Sequence, residues 1–304
     1  MEDQSLELHN LQQLLLAGPV ICDGAWGTEI QKRGWRGEFP VDLWNLTHPD
    51  EIREISREYR NAGSQIMLTN TFRANPVDLA DFGLAEHARE INRRGVELAR
   101  AGSSDRYSSR VLGSIGPIGR RNDESTVRLG YSLQAQYLAE AGVDALVFET
   151  MSNLREAKLA IEAARATQLP LILSFTFDDH PGQPRTPGGD SPETVARAML
   201  DAGAHGVGAN CGTHPRTFPE ICRRMAAVCD LPLWMKPSAG LPDFRSGNPC
   251  YSVSPSEFAV YGALLIGAGA HFVGGCCGTS PRYIAALRNQ QDLAAKENIR
   301  DETP

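Results

Sequence analysis

"AGVDALVFET", residues 141–150, decides the fold. Its Ala-Gly closes the helical pattern "SLQAQYLAEAG" (132–142), and the chain then runs into the short apolar stretch "ALVFET" (145–150). Glycine suits the left-handed residue that ends a helix. Continuous rather than alternating hydrophobicity marks a strand covered on both faces, as in a parallel sheet. The same Ala-Gly step recurs at 62–63, 202–203 and 268–269, each just ahead of an apolar run.

Outward from this unit, apolar runs at 19–28, 64–72, 110–119, 169–177, 205–213, 231–240 and 270–279 bring the strands to eight. Helical patterns separate them. "PDEIREISREYRNAG" (49–63) carries Ile52, Ile55 and Tyr59 on one stripe, and "EHAREINRRGVELARAG" (86–102) reads the same way. A repeated helix–glycine–strand unit with eight strands predicts an α/β fold, a (β/α)8 TIM barrel, as a single domain over 1–304. A doubly wound sheet would want G-x-G-x-x-G after the first strand, and the sequence has none there. A polar tail, about 291–304, is expected to fray.

The formal charge of −7 disfavours nucleic acid, which calls for a basic face. No run of eighteen apolar residues exists, so no membrane span is expected. The start, "MEDQSLELHN", is polar and acidic, unlike a secretory signal. Seven cysteines, an odd number, suit a reducing compartment, and a cytoplasmic location is expected.

A barrel carries its chemistry at the C-terminal strand ends. Here those ends offer Asp23, Thr69–Thr71, Gly116, Glu149, Phe177, Cys211, Lys236 and Cys276–Cys277. "NCGTHP" (210–215) and "CCGTSP" (276–281) share Cys-Gly-Thr-x-Pro, each closing an apolar strand and opening a helix. A helix N-terminus favours thiolate over thiol. Neighbouring cysteines share a ligand only where the backbone leaves strand geometry, which Gly274, Gly275 and Gly278 permit. Three convergent thiolates make a soft site, for which Zn2+ is the matching ion. Three ligands with no obvious fourth leave an open, catalytic position. A vicinal disulfide, a closed Cys3His site with His214, or plain core packing are the competing readings, the last suiting Cys22, Cys222 and Cys229.

A zinc–trithiolate centre carries net negative charge and suits a substrate thiol as fourth ligand, deprotonated yet nucleophilic. The implied chemistry is alkyl transfer to a thiol. Asp23 and Glu149 are candidates for holding an ammonium, and the backbone of Gly24–Thr28 for holding a carboxylate. An Asx-turn or cap at Asp23 and a structural ion pair at Glu149 are the alternatives. Lys236 admits a Schiff-base lyase, or else a solvent-facing rim charge. A non-catalytic zinc-thiolate sensor also fits. No H-x-H pair exists, which disfavours a barrel-type zinc hydrolase.

With "DGAWGTEIQKRG", "TNTFRAN", "GSIGPIG", "GVDALVFETMSN", "GANCGTHP", "KPSAGLP" and "VGGCCGTSPRYIAAL", the chain resembles the zinc-dependent homocysteine S-methyltransferases along nearly its whole length. It is similar both to the homocysteine module of cobalamin-dependent methionine synthase and to betaine–homocysteine methyltransferase. The resemblance implies that Cys211, Cys276 and Cys277 bind zinc and that the sulfur of homocysteine completes the tetrahedron. It also implies that Asp23 and Glu149 hold the amino group, within a substrate set that includes Gly24, Thr28 and Thr71, and that the product is methionine.

Members of the family differ in donor. Betaine enzymes surround their cation with aromatic residues, whereas this chain has Arg73 and Thr150 at two such places and ends soon after its eighth helical pattern. A free-standing barrel takes a diffusible donor or docks a separate corrinoid protein. A small sulfonium, S-methylmethionine or S-adenosylmethionine, is the donor expected, with Trp26, Trp44 and Tyr251 available to shelter it.

Overall fold

The computed structural model describes residues 18–101, 110–118, 123–178, 183–244 and 249–301. Eight parallel strands form one sheet: β1 (Val20–Ile21), β2 (Ile66–Leu68), β3 (Arg110–Ile115), β4 (Ala145–Met151), β5 (Leu171–Phe175), β6 (Gly206–Asn210), β7 (Leu233–Lys236) and β8 (Phe272–Val273). Their order is β1-β8-β7-β6-β5-β4-β3-β2. A parallel bridge between Cys22 and Ile66 joins the two ends and closes the barrel. Each of the eight predicted runs coincides with one strand, β4 running one residue past its run.

The helix–glycine–strand units have the expected local cause. Gly63, Gly142, Gly203 and Gly269 all adopt positive φ, between 81° and 104°, at the end of a helix. Helix Pro49–Asn61 buries Ile52, Ile55 and Tyr59 completely against the barrel. At the other ends, Asp123, Asn153, Ser191 and Ser254 cap helices by accepting backbone N–H bonds.

Apart from β4, the strands are shorter than the apolar runs suggest, and the difference makes the site. Of residues 19–28 only Val20–Ile21 are strand, and the chain then turns into a helix, Trp26–Lys32. The segments Val41–Leu43 and Trp44–Thr47 add helical turns at the same end of the barrel. A small antiparallel ribbon, Pro242–Asp243 with Cys250–Tyr251, lies between β7 and its following helix. The last helix, Pro281–Asp301, continues through most of the stretch expected to fray. Among the described residues no helix is long and apolar enough to cross a membrane.

Candidate functional site

A cavity of about 220 Å³ opens at the C-terminal ends of the strands. That volume suits a small amino acid and lies below the usual range for drug-sized ligands. Its lining includes Gly24, Thr28, Thr71, Glu149, Lys236 and the cysteines 211, 276 and 277.

The three sulfurs converge. Cys211 Sγ lies 2.7 Å from Cys276 Sγ and 3.4 Å from Cys277 Sγ, and all three lie within 4.8 Å of one another. Three free sulfurs gathered in this way form a donor set that one soft cation could share. Cys211 adopts φ 56°, followed by Gly212 at 74°, so β6 bends sharply just where it presents its thiol. Gly278, at φ 80°, turns the chain after Cys277, with the Tyr251 ring packed where a Cβ would stand. The Cys211 thiol is held well below its ordinary pKa by hydrogen bonds from Cys276 and Cys277, against the effect of burial. Cys276 is pushed up to about 12 by the same bond to Cys211, and Cys277 is also raised. Cys211 is thus biased toward thiolate and its two neighbours toward thiol, and all three sulfurs are donors suited to a soft metal ion.

Three of the other cysteines behave as core, while Cys250 is exposed. Cys22 and Cys222 are fully buried and Cys229 nearly so. His214 does not join the sulfurs: its ring caps the following turn by accepting the Arg216 N–H at 3.3 Å and packs edge-on against Tyr261. The Cys3His alternative is thereby corrected, because the cap draws the imidazole away from the cluster.

Lys236 overturns the rim-charge expectation. It is only 2% exposed, and its Nζ lies 2.5 Å from Asp23 Oδ1. Burial disfavours its charge, yet the carboxylates of Asp23 and Glu149 outweigh that and raise its pKa. A protonated, ion-paired amine is a poor nucleophile, which disfavours a Schiff base. Asp23 is fully buried and is not among the residues lining the cavity. Its Oδ2 accepts from the Trp26 indole N–H at 2.9 Å and from the Leu68 N–H at 2.8 Å. The ammonium that Asp23 holds in this structure is that of Lys236.

Glu149 faces the cavity and accepts a 2.6 Å hydrogen bond from Ser114 Oγ. Burial raises its carboxyl to about 7, although Lys236 pulls the other way. Thr71 hydrogen bonds through its hydroxyl to Ser114 O, and the Thr28 hydroxyl is buried with no partner among the described residues. Gly24 packs so closely that a Cβ would stand 2.7 Å from the Tyr59 hydroxyl and 2.8 Å from that of Thr279.

Two residues that hold the site escaped prediction. Asn210 accepts from Ser174 Oγ and from the Thr150 N–H, donates to Thr150 Oγ1, and approaches Cys276 Sγ to 3.8 Å. Thr279 donates to Cys276 O and accepts from Ala25 N–H, tying the β8 turn to the β1 turn. Both sat inside quoted motifs, Asn210 just before Cys211 and Thr279 in the shared Cys-Gly-Thr.

Arg73, used above to disfavour betaine, is not among the residues lining the cavity. It pairs with Asp78 and lies over the Phe82 ring. Trp44 is likewise outside the lining, stacked on His48 at 4.1 Å. Trp26 does line it, and Tyr251 lies against the Cys277–Gly278 turn.

The profile of homocysteine S-methyltransferase matches residues 20–291. Methionine synthase from Mycobacterium tuberculosis (strain ATCC 25618 / H37Rv) is 29% identical, over 98% of this chain and 26% of that protein. The Mycobacterium leprae (strain TN) methionine synthase is also 29% identical, over 90% and 24% respectively. The chain thus spans about a quarter of the length of the curated relatives it matches. Among solved structures, the oxidised form of the homocysteine methyltransferase MmuM from Escherichia coli superposes with a TM-score of 0.76. It is 25% identical, and 91% of this chain and 98% of that one are covered. The metallated form of MmuM superposes at 0.77 with 24% identity and the same coverage, a likeness of fold. On the profile match across almost its whole length, the chain belongs to the homocysteine S-methyltransferase family.

Proposed function

We propose that this chain methylates the thiol of homocysteine to form methionine. The single observation that carries the proposal is the convergence of Cys211, Cys276 and Cys277 from two strand ends on one small cavity, in a chain of this family. Those three residues would hold a zinc ion. When bound, such an ion supplies a soft centre that keeps a thiol deprotonated at neutral pH without quenching its nucleophilicity.

The protein's own groups do the rest. Glu149 receives the acceptor's ammonium, with Ser114 fixing the carboxylate rotamer. Gly24–Thr28 supplies backbone donors at the cavity wall and Thr28 a hydroxyl without a partner among the described residues. Asn210 holds Thr150, and hence the Glu149 backbone, in place. In the reaction a carbon–sulfur bond forms between the acceptor sulfur and the methyl carbon, while the bond from that carbon to the donor breaks. The bond's electrons leave on the donor, and the acceptor's thiol proton passes to solvent. Holding the two partners in line provides much of the acceleration.

A small sulfonium is the donor we favour, since Trp26 and Tyr251 offer aromatic faces near the sulfurs. A methylcorrinoid on another domain or protein is the second reading, favoured by the similarity to methionine synthase. A reducing compartment such as the cytoplasm suits a site built from free thiols. The test is methionine formation by the reduced, zinc-loaded chain, supplied in turn with S-methylmethionine, S-adenosylmethionine, betaine and methylcobalamin. Turnover with a sulfonium supports the first reading, and turnover with methylcobalamin alone supports the second. Zinc and homocysteine binding without turnover by any donor would mark a binding module and sink the proposal.

A further inference from the structure

A second cavity, of about 300 Å³, adjoins the one that holds the sulfurs. Thr28 lines both, and Gly278, in the wall of the second, follows directly on Cys277 in the wall of the first. The Tyr251 ring lies in this outer cavity, packed against Gly278. Helix Trp26–Lys32 runs along it. Thr28 and Lys32 sit on one helical face, and the four steps between them span about 6 Å of axis.

The charges of the outer cavity are one-sided. Among the described residues it is lined by Lys32 and Arg36 and by no carboxylate, in a chain of formal charge −7. Lys32 gives one N–H to Glu29 at 2.6 Å, a carboxylate that also serves Arg33 at 3.2 Å. Its ammonium has three donors. Arg36 reaches only the carbonyl oxygens of Gln31 at 3.5 Å and Trp35 at 3.3 Å, both through Nη1. Most of the five N–H donors of its guanidinium therefore have no acceptor among the described residues. Elsewhere on this surface the arginines find carboxylates: Arg53 meets Asp50, Arg57 meets Glu54, and Arg89 meets Glu140. The inner cavity thus holds sulfurs that ionise, and the adjoining one holds cations with donors to spare. A ligand lying across both would carry its positive end inward and its negative end outward.

Resting on the sulfonium reading above, we propose that the outer cavity binds the carboxylate of the methyl donor, with Arg36 and Lys32 as its specificity-determining residues. The sulfonium end then lies between the Tyr251 ring and the sulfurs, where an aromatic face and a thiolate both favour a cation. The donor selected is a sulfonium amino acid rather than a bare sulfonium. Arg36 supplies the planar fork that matches a carboxylate, and Lys32 supplies a point charge beside it.

The test compares three donors on the reduced, zinc-loaded full chain at saturating homocysteine. They are S-methylmethionine, (3-carboxypropyl)dimethylsulfonium, which lacks the ammonium, and (3-aminopropyl)dimethylsulfonium, which lacks the carboxylate. An analogue that is not turned over is read as an inhibitor against S-methylmethionine. In Lys32→Met/Arg36→Met the constants for the two carboxylate-bearing compounds should rise about tenfold, the low end for charged hydrogen bonds, as befits an exposed site. The constant for the aminopropyl compound should stay level or fall, because a repelling charge has gone. Glu29 keeps Arg33 in that variant, so no carboxylate is stranded. Arg36→Lys should hold the wild-type order of donors. Added salt should raise the KM for S-methylmethionine in wild type and leave it level in the double variant. An equal shift for all three compounds, or none, overturns the role of the outer cavity while leaving methyl transfer from sulfoniums intact. A wild-type chain that takes a methyl group from no sulfonium overturns the donor reading, and this role with it.

Discussion

Asn210 clamps Thr150 from two sides: its Oδ1 accepts the Thr150 N–H at 2.9 Å and its Nδ2 donates to Thr150 Oγ1 at 2.8 Å. Thr150 needs the clamp because it adopts φ 60°, a conformation that costs a β-branched residue of order 1–3 kcal/mol. It follows directly on Glu149, so the strained residue sets where the carboxylate points. Asn210→Ala should therefore destabilise the chain by about 2–4 kcal/mol and weaken homocysteine binding. Thr150→Gly, which tolerates positive φ, should recover part of the stability in the double variant. Urea unfolding of the four members of that cycle checks it, and strict additivity would refute the clamp.

Cys276→Ala should lose bound zinc and methyl transfer together while the barrel stays folded, since the residue ends no strand and closes no core contact between helices. Metal analysis should fall from about one ion per chain to near none, and turnover by about a thousandfold or more. Far-ultraviolet circular dichroism should be unchanged. Full turnover in the variant would dismiss the thiol site.

Gly212→Ala tests the bend that aims Cys211. Its φ is 74°, and an added Cβ would stand 2.5 Å from the Phe177 carbonyl oxygen. The turn must shift, carrying the Cys211 sulfur with it. Zinc affinity, read by competition with a chelator, should fall by about tenfold or more, with a stability loss of about 2 kcal/mol. Unchanged affinity would mean that the turn adapts freely.

Asp42 supplies a pH signature away from the sulfurs. Burial raises its carboxyl to about 6, with the Arg73 N–H as a partial compensation, and its Oδ2 has no partner among the described residues. A native pKa above the unfolded 3.8 means that the folded state holds the proton longer. The stabilisation is then complete below about pH 4 and is lost as pH rises through about 6. Relative to Asp42→Asn, wild type should lose roughly 3 kcal/mol between pH 4 and pH 7, at about 1.4 kcal/mol per unit. A difference between the two proteins that stays flat across that interval would show Asp42 to be ordinarily ionised.

Much of the barrel was legible because its signals are local. Gly63, Gly142, Gly203 and Gly269 mark helix ends through their own φ angles, whatever lies around them. The cysteine cluster was legible because two copies of Cys-Gly-Thr-x-Pro announce the same strand-to-helix turn. Lys236 was misread for the opposite reason. A charge at the end of an apolar strand looks like a rim residue until its partner is known, and Asp23 lies 213 positions away. The pairing of Asp23 with Lys236 and the turn of Arg73 toward Asp78 likewise depend on packing that periodicity does not record.

The closure of the barrel has a consequence for how the molecule breathes. β1 and β2 meet through few rungs: Gln65 N–H to Ile21 O, Asp23 N–H to Ile66 O, and side-chain rungs from Ile21 N–H to Gln65 and from Leu68 N–H to Asp23. This seam is where the staves would part first, and one of its stitches is the carboxylate that anchors Lys236. Occupancy of the pocket and integrity of the seam are then linked quantities. A bound amino acid should slow deuterium uptake at Ile66–Leu68 more than at the densely paired strands opposite.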